Sequence, residues 1–395
     1  MSAGVLDGLR VLDFSWVLAG PYSTRILADF GAEIIKVQSS KTARGAESNS
    51  SGYFNTWNRN KLGITLDPSQ PEGRELALKL VGISDVVTEN YSPRVMANWD
   101  LGYEKLKRAR HDIIMLSMSG MGQTGPWKDY TTFGPTIQAL SGLTYLTSFN
   151  QDTPMGLGYS YADHAAGLMA ALAILTALEY RDRTGEGQYM DMSEYEVMCT
   201  LLGPVLMDYT VNHNPAIPQG NRPDYFTAAP YGCYPCRGDD RWCVIAVFDD
   251  EEWQALCHIL GYPAWTEEPK FSTTTQRQQH ASELDELLSQ WTIERTPEEI
   301  MHKLQKAGIS AGIVNNARDM AQDPQLTARD FFTEASHPVL GNTISDSTPI
   351  RLSRTPAQFQ RAAPLLGQDN HYVFRELIGL NESELSKYIE GGIIG

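Results

Sequence analysis

The sequence predicts an α/β protein in which a large domain built on a parallel sheet carries a smaller, inserted α+β unit. Three observations predict it. Short apolar runs alternate with helix-patterned stretches from Arg10 to Met192, the order of βαβ units. A Pro-, Asn- and Gly-rich segment from Asn212 to Asp224 interrupts that alternation and reads as a linker. A shorter mixed set of strand and helix candidates follows, and helical pattern returns at the C-terminal end.

Arg10-Val-Leu-Asp-Phe14 is a short apolar strand, Ser15 to Pro21 a loop, and Tyr22 to Phe30 a helix stopped by Gly31. Glu33-Ile-Ile-Lys-Val37 is the next strand. The result is one βαβ unit, hence a parallel sheet with covering helices. The shape is Rossmann-like, yet the turn lacks G-x-G-x-x-G, so no dinucleotide reading follows. Pro71 opens a helix running to Leu80. Asp85 to Thr88 and Ile113 to Met118 are strands, and their carboxyl ends lead into Glu89-Asn-Tyr91 and a glycine-rich loop, Ser119 to Pro126. Ligands gather at such strand ends. An Ala-rich helix continues to about Arg183, where Thr184-Gly-Glu-Gly187 stops it. Gln188 to Met192 alternates as a strand. Past the linker, Tyr231–Pro235 and Trp242–Phe248 are strand candidates, with helices at Glu251–Leu260, Ala281–Trp291 and Pro297–Ala307. Val314 to Pro349 reads as loop, and helices follow at His371–Ile378 and Glu382–Ile389.

Composition narrows the function. The chain has 395 residues and a net charge of −16, which disfavours phosphate backbones and anionic membranes. The longest near-apolar run, Ala165 to Leu178, is short of the roughly 20 residues of a membrane span. The start shows no basic region ahead of a long apolar run, so the expected location is cytoplasmic. Five cysteines fit a reducing compartment. Cys233-Tyr-Pro-Cys236 is one CxxC pair where a structural zinc would want two, so no metal is expected.

Asp163 is the candidate for chemistry. It lies in Gly156-Leu-Gly-Tyr-Ser-Tyr-Ala-Asp-His164, ahead of the Ala-rich helix. A carboxylate there caps free N–H groups, and the positive helix end favours its ionised form. Pattern alone leaves an ordinary N-cap and an acyl-transfer nucleophile both open.

An ordered set of motifs bears on that choice. Leu6-Asp-Gly-Leu-Arg-Val-Leu-Asp-Phe14, Ala19-Gly-Pro21, Leu27 to Val37, Asn58-Arg-Asn-Lys61, Glu89-Asn-Tyr91, Ala139-Leu-Ser-Gly142, Arg183 to Gln188, Tyr234 to Asp240 and Asp323-Pro-Gln-Leu326 together resemble class III CoA-transferases, the CaiB/BaiF family of formyl-CoA, carnitine and benzylsuccinate CoA-transferases. The likeness covers nearly the whole chain. It implies an interlocked dimer, with a large Rossmann-like domain from residues 1–205 and 330–395, a small domain at 225–315, and linkers at 206–224 and 316–329. A homodimer is the first expectation, and a heteromer with a homologous chain the second.

The resemblance also implies a reaction. CoA moves from an acyl-CoA to a free carboxylic acid, with CoA as substrate and no resident cofactor. Asp163 stands at the family's nucleophile position, so it would form a mixed anhydride and then an aspartyl-CoA thioester. Val17, Leu18 and Ala19 in the first βα turn, with Leu66, Asn90, Tyr91 and Arg94, occupy CoA-binding positions; Lys41 and Arg44 are further candidates for its phosphates. Val17 and Leu66 read equally as core residues. Formyl-CoA transferases carry Gln at Leu18 and Arg at Ser39 and Asn98, so these departures argue against formyl-CoA and oxalate. They favour a larger or more apolar acid, such as an aromatic or branched succinate activated by succinyl-CoA. The rival reaction, α-methylacyl-CoA racemisation, needs a second acid–base group. The racemases have a His where Phe133 stands, and His164 would point away from Asp163.

Overall fold

A computed structural model describes residues 4–222 and 227–395. The expected boundary between linker and small domain, at 224 and 225, lies outside the described residues. The chain divides into two compact units, one of residues 1–144, 156–215 and 325–395, the other of residues 145–155 and 216–324.

Six parallel strands form the sheet of the first unit: β1 (Arg10–Asp13), β2 (Glu33–Gln38), β3 (Lys61–Thr65), β4 (Val86–Glu89), β5 (Ile114–Ser119) and β6 (Tyr189–Ser193). Their order is β3-β2-β1-β4-β5-β6. The order reverses between β1 and β4, and ligands of such sheets bind in the crevice there. Both faces are covered, as a parallel sheet requires. Leu12 and Ile35 face one core, with Leu76, Leu80 and Phe374, while Val11 and Ile34 face the other, with Leu27, Ala170 and Ile174.

The sequence reading missed β3. Its Lys61 and Gly63 do not look like strand residues, and long-range partners explain both. Lys61 is fully buried in an ion pair with Asp13, at 3.1 Å. A Cβ on Gly63 would stand 2.7 Å from the Pro364 side chain. The first helix also starts earlier than expected, at Ala19 rather than Tyr22.

The Tyr161–Thr184 helix is longer than its apolar run, and an 18-residue stretch has mean hydropathy 1.4. By length and composition it could cross a membrane, contrary to the sequence reading. Its buried residues, among them Ala166, Ala170 and Ile174, pack on the sheet and against the Ala19–Asp29 helix, as a core helix does. Gly185 ends it in a left-handed conformation, φ 75°.

Residues 206–212, read as linker, belong to a helix, Gly203–Asn212. Much of the stretch read as loop is also structured: short helices span Ala317–Ala321 and Pro324–Ala328, and Phe332–His337 pairs antiparallel with Gly341–Asp346. The second unit holds an antiparallel sheet of Tyr231–Pro235, Trp242–Ala246 and Ser310–Ile313, backed by helices around Trp253, Leu288 and Leu304. Its third strand was not predicted, since Ser310-Ala-Gly-Ile313 is short and contains Gly.

Candidate active site

The cleft lies where the strand order reverses. Asp13, at the end of β1 ahead of the Trp16–Val17 lining, is a carboxylate with no exposed surface. Burial by itself would raise this group, but the Lys61 and Lys36 ammonium groups and the Ser15 and Thr24 hydroxyls hold it below the usual carboxylate range. The Thr24 hydroxyl donates to Asp13 Oδ2 at 2.7 Å and the Ser15 N–H to Oδ1 at 2.9 Å. The ion pair therefore fixes where the chain turns into the first helix.

That turn is held in an unusual shape. Val17 has φ +63°, a left-handed conformation that β-branched residues rarely adopt. Three side-chain hydrogen bonds hold it. The Val17 N–H donates to Glu47 Oε1 at 2.8 Å, the Trp16 N–H donates to Asn90 Oδ1 at 2.8 Å, and Asn90 Nδ2 donates to the Trp16 carbonyl at 3.0 Å. Asn90 thus ties the loop after β4 to the loop after β1. Just before it, burial pushes the Glu89 carboxyl up to about 7, although it accepts the Tyr91 N–H at 2.8 Å.

Asp163 forms part of the cleft wall, with Val17, Asn90, Tyr91, Gly120, Phe133 and Glu194. Ser160 is the N-cap residue and Asp163 the third residue of the helix, so the expected N-cap assignment is corrected. The Ser160 hydroxyl donates to Asp163 Oδ2, and Gln138 Oε1 accepts the Tyr161 N–H at 2.9 Å. Gly134 lies directly against this carboxylate. A Cβ there would stand 2.2 Å from Asp163 Oδ2 and 1.9 Å from Ser160 Oγ. Burial raises the Asp163 pKa, and the Ser160 hydroxyl and the Asp163 N–H only partly counter it. Helix position alone suggested the opposite direction, because it takes no account of desolvation.

The structure brings together four of the eight expected site residues: Asp163, Val17, Asn90 and Tyr91. The other four do not line this cleft. Leu18 and Leu66 are 2% exposed and Ala19 is fully buried, all core side chains, and Arg94 is exposed at the start of a short helix. Leu18 does not itself line the cleft; Val17 and Phe133 supply apolar surface there. Lys41 is exposed and pairs with Asp67 at 3.0 Å; Arg44 is also exposed. His164 is not a cleft-lining residue. Its Nδ1 meets the Ser160 carbonyl at 2.7 Å and its ring stacks on Tyr159, with centroids 4.4 Å apart.

The sequence reading missed Glu194 and Lys128, which also line the cleft. Glu194 immediately follows β6, so the strand-end rule could have singled it out. Burial pushes its carboxyl up to about 8, and the nearby Asp163 adds to the rise.

A doubly wound sheet with a half-buried, hydrogen-bonded carboxylate in its switch-point crevice suits a protein that works on a ligand held over the strand ends. The chain belongs to CoA-transferase family III, whose family model matches residues 6–370. It is 34% identical to a succinyl-CoA–D-citramalate CoA-transferase of Chloroflexus aurantiacus, over 96% of each chain. It is 32% identical to a succinate–glutarate CoA-transferase of Agrobacterium fabrum, over 94% of this chain and 95% of the relative. The crystal structure of a CaiB/BaiF family protein from Brucella suis superposes with TM-score 0.87 at 30% identity, covering 95% of this chain and all of that one. The protein is therefore an enzyme of the class III CoA-transferases.

Proposed function

We propose that the enzyme moves CoA from succinyl-CoA to a free dicarboxylic acid, an aromatic or branched succinate, with Asp163 as the nucleophile. The observation that carries this reading is the Asp163 carboxylate in the wall of the switch-point crevice, against Gly134 and the Ser160 hydroxyl. Relatives named for succinyl-CoA with D-citramalate, and for succinate with glutarate, support a dicarboxylic donor and acceptor.

The reaction runs in two exchanges. The Asp163 carboxylate attacks the thioester carbonyl; an Asp163–acyl mixed anhydride forms and CoA leaves as thiolate. The thiolate attacks the aspartyl carbonyl of the anhydride, giving an aspartyl-CoA thioester and the free donor acid. The acceptor carboxylate then repeats these steps in reverse and leaves as its CoA thioester. One thioester replaces another, so no nucleotide is consumed. A carboxylate is a weak nucleophile, so positioning must supply much of the rate. The anhydride hydrolyses in water, so the site must exclude solvent while it forms. Asn90 and Val17 shape the turn over which the pantetheine arm would run. The histidine that the resemblance assigns to racemases is replaced by Phe133, and among the described residues no histidine lines the cleft, since His164 stacks on Tyr159.

We take the working form to be a homodimer. Leu168 and Leu172 on the long helix and Leu206, Met207 and Val211 further on are more than half exposed, apolar side chains that a second copy of the chain would cover.

Two measurements test the function. Asp163→Ala should abolish CoA exchange in a panel of succinyl-CoA and free acids while the far-UV circular dichroism spectrum is preserved. Hydroxylamine added during turnover should mark the Asp163 peptide in a mass spectrum. Full turnover by the variant, or an unmarked peptide, would remove Asp163 from this role.

A further inference from the structure

Glu194 has no part in the mechanism above, yet it is built into the same cleft. Its side chain is 6% exposed and lines the cavity together with Asp163. Among the described residues no donor reaches its carboxyl, whereas Asp163 has the Ser160 hydroxyl and a backbone N–H. Both carboxyls sit in the first turn of a helix, so the field of the helix ends does not distinguish them. Hydrogen bonding and burial do: an ionised carboxylate without donors is costly to bury, and a second negative charge beside it raises that cost.

The surroundings offer little to offset a second charge. The Gly134–Leu140 helix packed on this segment has no titratable residue. Asp163 and His164 come from the long helix; the His164 ring stacks on Tyr159 and meets the Ser160 carbonyl through Nδ1, and its charge favours the ionised form of Asp163. From β6 come Asp191, which accepts the Gln123 N–H, and Tyr189. On its own helix lie Tyr195, Glu196 and Cys199. Lys128, an exposed cation, and Tyr130 face the cleft from the loop across it.

We propose that Glu194 is a positioning residue for Asp163: of the two carboxyls it holds the one proton they retain, and so leaves Asp163 as the anion that attacks the thioester. The arrangement follows the general behaviour of two close carboxyls, which titrate as a pair. When Asp163 becomes an anhydride its charge departs with the thiolate, and Glu194 keeps its proton. Loss of that proton puts a second negative charge in a cleft that must admit anionic substrates. This inference rests on Asp163 being the nucleophile, so the experiment separates the two ideas.

The test is kcat/KM against pH for the wild type, Glu194→Gln and Asp163→Asn, together with difference infrared spectra of the ligand-free proteins. The protonated-carboxyl band of Glu194 should be present in the wild type at pH 7, vanish by about pH 9.5, and be absent in E194Q. With a midpoint of about 8, wild-type kcat/KM should fall about tenfold at one pH unit above it. E194Q, which offers a neutral amide, should lose that alkaline limb. A wild-type spectrum without the band at pH 7, or an unchanged alkaline limb in E194Q, overturns the inference even if D163N is inactive. An active D163N instead overturns the nucleophile reading, and the infrared band still decides the ionisation of Glu194.

Discussion

Substituting Gly134 by alanine probes the proposed nucleophile, Asp163, without touching it. The glycine is buried in the first turn of a helix, and its φ lies outside the left-handed range, so the backbone admits alanine. The obstacle is the side chain. Its Cβ would stand 2.2 Å from Asp163 Oδ2, against an ordinary contact distance above about 3.2 Å, so the carboxylate or the Gly134 segment must retreat by about 1 Å. Ser160 Oγ, 1.9 Å from the same Cβ, would also have to move, and Asp163 would then lose its hydroxyl donor. A misplacement of about 1 Å costs on the order of 100-fold in turnover, or about 2.7 kcal/mol. Global stability should change little, since alanine in a helix gains up to about 1 kcal/mol over glycine and offsets some local strain. Initial rates of acyl-CoA exchange, separated by chromatography, would give kcat, and a thermal melt would report the fold. Wild-type kcat in a well-folded G134A would refute the claim that the observed carboxylate position is the reactive one.

Two other outcomes are expected. Asn90→Ala removes both hydrogen bonds that hold Trp16 beside the left-handed Val17, so the turn should relax and KM for acyl-CoA rise about tenfold with a smaller change in kcat; an unchanged KM would remove this turn from CoA binding. Glu89 has a folded-state pKa of about 7 against an ordinary 4.5, so the fold holds a proton that the unfolded chain has released, and stability should fall as pH rises from about 4.5 to 7. Glu89→Gln abolishes that loss and should be up to about 3 kcal/mol more stable than the wild type in urea melts at pH 8, with a smaller gain at pH 5; equal gains at both would contradict it.

The sequence made much of the large unit legible because the information is local. Arg10 to Asp13, Glu33 to Gln38 and Ile114 to Ser119 are apolar runs that only a doubly covered sheet accommodates, and Gly185 and Pro71 mark helix ends by their backbone chemistry. Asp163 was legible as the start of a helix and, through the resemblance of an ordered set of motifs, as the candidate nucleophile proposed above. The missed elements have remote causes. Lys61 looks like a surface charge until Asp13 is placed beside it, and the Phe332–His337 segment becomes a strand only through its pairing with Gly341–Asp346.

What the sequence by itself determined is the period of the strands and helices, the points where they stop, and the identity of the groups available for chemistry. Tertiary structure alone decided which of those groups lose water. Leu18, Leu66 and Ala19 go to the core, Arg94 stays outside the cleft, and Glu194, an unremarkable acid at a helix start, becomes the partner of Asp163 in the cleft wall. The physical reason is that propensity and periodicity act between chain neighbours, whereas desolvation and charge coupling depend on atoms that packing brings together from distant parts of the chain.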